Sequence, residues 1–204
     1  VLVAASAVSL AATPAWIGLG MKLARRLARA KAKPATPSAA SQGRPILLFA
    51  MNDAGRLAMD ALTRFHVPVV AIDSDPDRFL AAIADGYSVS FGDPSDLRLM
   101  KAVGVTHARA LALAKSRYEI SEEVTPYVNK TYPDLARFVA VESEEEQSRH
   151  EALGMHAVLV RGMPPGLEFA AALLRFSGVE EAQITAWMRE VMEAYEPMRL
   201  AEPA

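Results

Sequence analysis

Six short apolar runs, each followed by an amphipathic stretch, constrain this chain more than any other feature. ILLFA (Ile46–Ala50), VPVVAID (Val67–Asp73), YSVSF (Tyr87–Phe91), ALALA (Ala110–Ala114), RFVAV (Arg137–Val141) and AVLV (Ala157–Val160) each read as a buried strand. Between them lie helical patterns. Gly55–Phe65 places Leu57, Ala58, Ala61, Leu62 and Phe65 on one face, and Pro76 opens a second helix with Asp75 suited to cap it. Further helices are expected to about Val103, from about Tyr118 to Tyr132, and from Glu144 to Leu153. Parallel strands need crossovers, and a sheet covered on both faces needs strands that are apolar throughout. The expected fold is therefore α/β, a Rossmann-like doubly wound parallel sheet of about six strands. Pro164–Phe176 and Val179–Tyr195 read as two C-terminal helices, the second with Ile184, Trp187, Met188, Val191 and Tyr195 at helical spacing. That row reads as packing on the domain, with a dimer or transporter-docking face as the alternative.

Residues 1–21 carry no charged side chain, and about 20 apolar residues at about 1.5 Å each cross a hydrocarbon core of about 30 Å. Lys22, Arg25, Arg26, Arg29, Lys31 and Lys33 come immediately after. Seven of the 22 basic residues precede the first acid, Asp53, leaving 15 basic against 24 acidic residues in the remainder. Positive charge directly after an apolar span places the rest of the chain in the cytoplasm. A secretory signal would carry its charges before the span; a soluble or interfacial helix is the competing reading. Residues 34–44 (PATPSAASQGR) have linker composition. The expected organisation is a transmembrane helix (1–21), a basic juxtamembrane segment and linker (22–44), a Rossmann-like domain (45–162) and a helical extension (163–204). The chain starts at Val1 rather than Met, which reads as a processed product or the C-terminal piece of something longer. The formal charge of −2 argues against general nucleic-acid binding. The absence of Cys excludes disulfide and thiolate chemistry, and no His pair has metal-ligand spacing.

In such a sheet ligands bind beyond the carboxyl ends of the strands. Aligned to G-x-G-x-x-G, the stretch FAMNDAGR holds Ala50, Asn52 and Gly55, so only the third glycine remains. Asn52 adopts positive φ more readily than most residues, which would let the turn form. Asp53 sets a carboxylate where a phosphate would lie. Asp73 ends the second strand 18 residues after Gly55, where a carboxylate accepts from ribose hydroxyls; a helix-capping role is the alternative. Gly92 and Asp93 end the third strand beside the place of an adenine, or form a plain turn. The acidic run Glu142–Glu151 reads as a solvated helix face, or as a partner surface.

Taken together, SLAATP (Ser9–Pro14), IDSDPDR (Ile72–Arg78), FGDPSDLRLMKAVGV (Phe91–Val105) and TYPDLARFVA (Thr131–Ala140) resemble the C-terminal part of monovalent cation:proton antiporters of the glutathione-gated potassium-efflux type. In that family the last transmembrane helix leads into a TrkA-N domain, also called the regulator of potassium conductance. The resemblance implies a non-catalytic regulatory module of an inner-membrane transporter that forms a homodimer through its Rossmann domain and works on the transmembrane antiporter domain. It also implies an adenine nucleotide (AMP, ATP or NAD/NADH) held by Asp73 at the ribose, Asp93 at the adenosine end and Gly55 near the phosphates. The family's glycine-rich loop is intact where this chain has Ala50, Asn52 and Asp53, so weak or absent binding is also consistent. Two further classes stand beside this reading: a Rossmann scaffold acting through protein contacts alone, and a nicotinamide-dependent oxidoreductase. The latter needs an acid/base arrangement that His66, His107, His150, His156 and the pair Tyr127/Lys130 do not supply.

Overall fold

Leu47 and Phe49 point to one face of the sheet and Ile46 and Leu48 to the other, and all four are buried. This two-sided burial makes β1 (Ile46–Phe49) the centre of a parallel sheet. The computed structural model describes residues 43–162 and 164–201, with side chains to residue 195. The remaining strands are β2 (Val69–Asp73), β3 (Val89–Phe91), β4 (Ala110–Leu113), β5 (Ala136–Val141) and β6 (His156–Leu159). The order is β3-β2-β1-β4-β5-β6, every pair parallel, with Ile46 level with both Val69 and Ala110. The six-stranded Rossmann-like sheet read from the apolar runs is therefore present. The expected membrane span and most of the basic segment and linker lie outside the described residues. Among those described, no helix is long and apolar enough to cross a membrane.

Side-chain caps fix where the helices begin. Asn52 caps α1 (Asp53–Arg64), and Asp75 caps α2 (Pro76–Ala84) by accepting from the N–H groups of Asp77 and Arg78. Asp96 caps α3 (Leu97–Ala102). No side chain caps α4 (Tyr118–Thr131), whose interior holds Pro126. Ser143 caps α5 (Glu144–Ala152), where Glu144, Glu145 and Glu146 face the positive end of the helix dipole. Two more helices come after the sheet, α6 (Leu167–Phe176) and α7 (Glu181–Ala201).

One core contains Ile46, Leu48, Ala58, Leu62, Phe79, Leu173, Ile184 and Trp187, and so binds α1, α2, α6 and α7 to one face of the sheet. The second, with Leu47, Phe49, Ile72, Met100 and Val128, lies under α3 and α4. Ile184 and Trp187 are buried against α6, and Met188 and Val191 are packed in part against the same core. The apolar row of α7 is thus spent on its own domain up to Val191.

Candidate functional site

The crossover direction reverses between β1 and β4, and the crevice this leaves at their carboxyl ends is where an α/β sheet receives ligands. The turn from β1 into α1 forms its floor. Its left-handed residue is Ala50, at φ 71°, whereas Asn52 lies at φ −72°. The expectation that Asn52 supplies the positive φ is therefore corrected. The sharp bend falls at the first position of the glycine pattern, before Asn52, because Asn52 takes the extended conformation of a helix cap. Its Oδ1 accepts from the Gly55 N–H at 3.0 Å, and its Nδ2 donates to the Ala114 carbonyl at 3.0 Å, tying β1 to β4. Gly55 is required by space: a Cβ there would lie 1.9 Å from the Ala50 carbonyl oxygen. Gly166, at φ 87°, lies against Ala54 so closely that a Cβ on it would be 2.4 Å away. Asn52 thus occupies a donor at the α1 N-terminus that would otherwise meet an anion, and exposed Asp53 adds negative charge there.

Asp73 is 1% exposed and accepts four hydrogen bonds. Its Oδ2 receives the Met51 N–H at 2.7 Å and Arg78 Nε at 3.0 Å; its Oδ1 receives the Asp75 N–H at 2.8 Å and Arg78 Nη2 at 3.0 Å. Burial pushes its pKa up, but the Arg78 guanidinium and the two backbone donors outweigh that, so the carboxyl lies below the ordinary carboxylate range. Asp73 does not cap α2, a task performed by Asp75. It locks the β2 end to the β1 turn and to the first turn of α2.

Gly92 donates its N–H to the Asp73 carbonyl, and a Cβ on it would press on Leu99 Cδ2 at 2.2 Å. Asp93 accepts from the Ser95 N–H and hydroxyl at 2.8 and 2.7 Å, and Arg117 lies 3.9 Å away. The Ser95 N–H is the main reason its carboxyl is also depressed, against the opposing effect of burial. Asp73 and the Gly92–Asp93 turn thus come together at one end of the sheet.

A cavity of about 470 Å³ opens from this crevice. Ala50, Asp73, Arg78, Pro94, Lys115 and Arg117 are at its mouth, and it continues beneath α4 to Thr125, Arg137 and Met155. Three cations there, Arg78, Lys115 and Arg117, were not among the site residues expected from the sequence. A signal for Arg78 was present: a carboxylate ending a strand, then, five residues later, an arginine in the first turn of the next helix. Lys115 and Arg117 come after β4 with no motif to mark them.

Residues 46–161 match the sequence model of the TrkA-N domain. Among curated proteins, the chain is 24% identical over 145 residues to K(+) efflux antiporter 2, chloroplastic, of Arabidopsis thaliana, a match covering 71% of this chain. The chain spans 12% of that relative's length. Among solved structures it superposes on the Shewanella denitrificans Kef C-terminal domain in AMP-bound form, with a TM-score of 0.50 and 14% identity, over 74% of this chain and 92% of that one. It also superposes on the GsuK channel bound to NAD, with a TM-score of 0.51 and 16% identity, over 73% of this chain and 27% of that one. At these identities the two structures establish the shared fold.

Proposed function

The chain belongs to the TrkA-N domain family, and from that premise we propose that it is the cytoplasmic regulatory module of a membrane potassium or other monovalent-cation:proton antiporter. In this reading residues 1–21 span the membrane, the Rossmann-like domain pairs with a second copy, and its state biases the antiporter domain between closed and open forms. The effector is an adenine nucleotide. Support comes from the curated potassium-efflux relatives and from fold neighbours described as bound to AMP and to NAD.

One observation carries the site: Asp73, a buried carboxylate at the switch point, is covered by the one-third-exposed guanidinium of Arg78. All four hydrogen bonds to Asp73 come from the protein itself, so ribose hydroxyls reach it only by exchanging with Arg78. Asp93 and Gly92 then border the adenosine end. Gly55 and Asn52 lie where the phosphates would be, but the Gly55 N–H is already engaged by Asn52. The nucleoside therefore supplies most of the affinity, and AMP, ATP and NAD differ little.

A thermal-shift series with AMP, ATP, NAD and NADH tests this. A ligand that binds only the folded state adds RT ln(1 + [L]/Kd), about 2.7 kcal/mol at a hundredfold excess over Kd. Asp73→Ala abolishes the shift, and Arg78→Met, which uncovers Asp73, enlarges it. No shift in either the wild type or Arg78→Met would sink the nucleotide reading. It would leave a second one, favoured by the fully occupied acceptors of Asp73: a module working through protein contacts alone.

A further inference from the structure

The cavity extends well beyond the crevice, and its inner part has its own chemistry. The inward row of α4 is Ile120, Val124 and Val128, four residues apart, with only Ser121 and Thr125 buried between them. These short side chains do not fill the space above Leu111 and Leu113 of β4. The resulting chamber is mainly apolar, and the cavity's volume falls in the range of about 300–1,000 Å³ common for small-molecule sites.

Arg137 stands at its inner end, 8% exposed. It donates to Thr125 Oγ1 at 2.9 Å and to the carbonyls of Leu153 and Gly154 at 2.8 and 3.3 Å, all neutral acceptors. Among the described residues no carboxylate forms an ion pair with it. A buried cation without a counter-ion is costly, and an apolar chamber that ends on one is complementary to a molecule with an acid at one end of an apolar body. The sheet sets the length. Arg137 is level with Leu111, and the mouth at Lys115 is four residues further, about 13 Å at about 3.3 Å per residue.

We propose that the chamber beneath α4 binds an amphiphilic monocarboxylate, its acid paired with Arg137 and its aliphatic body lying along β4 towards the crevice. The site does not depend on the nucleotide reading, which rests on Asp73 and Arg78 at the mouth.

Calorimetric titration of the full chain with sodium decanoate, below its micellar concentration, tests the proposal. Decan-1-ol is the uncharged control. Decanoate binds saturably, at least tenfold more tightly than the alcohol. Arg137→Gln removes that preference, Arg137→Lys retains most of it, and Val124→Trp, which fills the chamber, abolishes binding. Lys115→Ala changes the affinity less than twofold. Absence of saturable binding overturns the proposal, as does binding unchanged in both Arg137→Gln and Val124→Trp. A loss in Lys115→Ala equal to that in Arg137→Gln also overturns it, because the acid then lies at the mouth. Should Arg137→Gln not fold, as judged by circular dichroism, the acid-over-alcohol ratio and Val124→Trp decide the outcome. AMP shifts measured on the same variants depend on Asp73 and are indifferent to Arg137, so the two readings fail separately.

Discussion

Replacing Ala50 by glycine should stabilise this protein, although it deletes a methyl group. Ala50 sits at φ 71°, and a left-handed backbone costs an L-residue about 1–2 kcal/mol, which glycine avoids. Two effects oppose the gain. Glycine is freer in the unfolded chain, which costs about 0.5–1 kcal/mol. The Ala50 methyl is packed in part against the core, so its loss costs a fraction of the roughly 0.8 kcal/mol of a buried methylene. The balance favours Ala50→Gly by up to about 1 kcal/mol, or about 2–4 °C in Tm for a chain of this size. Ala50→Val has the opposite sign and costs more than about 1 kcal/mol, because a β-branched residue at positive φ is a severe outlier. Urea midpoints at constant m value read both. A glycine variant less stable than the wild type by more than about 0.5 kcal/mol would refute the reasoning, since methyl packing would then outweigh backbone strain. The nucleotide response proposed above should be the same in the glycine variant, because the N–H groups of Met51 and Gly55 remain engaged by Asp73 and Asn52.

Gly55→Ala forces a Cβ onto the Ala50 carbonyl, a backbone atom that cannot yield locally, and should cost about 3 kcal/mol or more. Gly92→Ala meets only the end of the Leu99 side chain and should cost about 1 kcal/mol; equal losses in urea unfolding would refute the distinction. Asp73 has a depressed folded-state pKa, so its contribution is fully present above the ordinary carboxylate value of about 3.9 and is lost as pH falls through the folded value. Comparing unfolding at pH 7 and pH 3, Asp73→Asn should be less stable than the wild type at pH 7, and the gap should narrow at pH 3.

The sheet was legible because strands buried on both faces read as unbroken apolar runs, and because Asp75 and Pro76 mark a helix start from sequence alone. The candidate site's position at the strand ends was legible, but not the state of its groups. Asp73 could be located by its distance from Gly55, yet whether its oxygens face solvent or a guanidinium depends on how Arg78 folds back across the start of α2. Asn52 shows the same limit. Its tolerance of positive φ and its capping ability are both properties of the residue, and the structure uses the second while Ala50 takes the strain. Arg137 was hidden entirely, since one arginine at the start of an apolar run resembles any charge at a strand edge. Only the register of β4 and β5 and the thin inner row of α4 bring it into a chamber.

For the proposed regulatory role these features have a common consequence. Several polar groups of the candidate nucleotide site are already engaged from within: the Gly55 N–H by Asn52, the Met51 N–H by Asp73, the Gly92 N–H by the Asp73 carbonyl, and the Asp73 carboxylate by Met51, Asp75 and Arg78. A ligand entering this crevice gains only the difference between its own contacts and those it replaces, so high affinity is not to be expected. The same exchange is what a regulator requires. A ligand shifts a conformational equilibrium only by its differential affinity for the two states, and one that leaves the protein's own contacts intact shifts nothing. On the proposed reading, ribose reaches Asp73 only by releasing Arg78, and that release removes the guanidinium tie between the first turn of α2 and the end of β2, leaving the Asp75 N–H contact. On that reading, binding and movement would be coupled through the Asp73–Arg78 ion pair, and modest affinity would accompany that coupling.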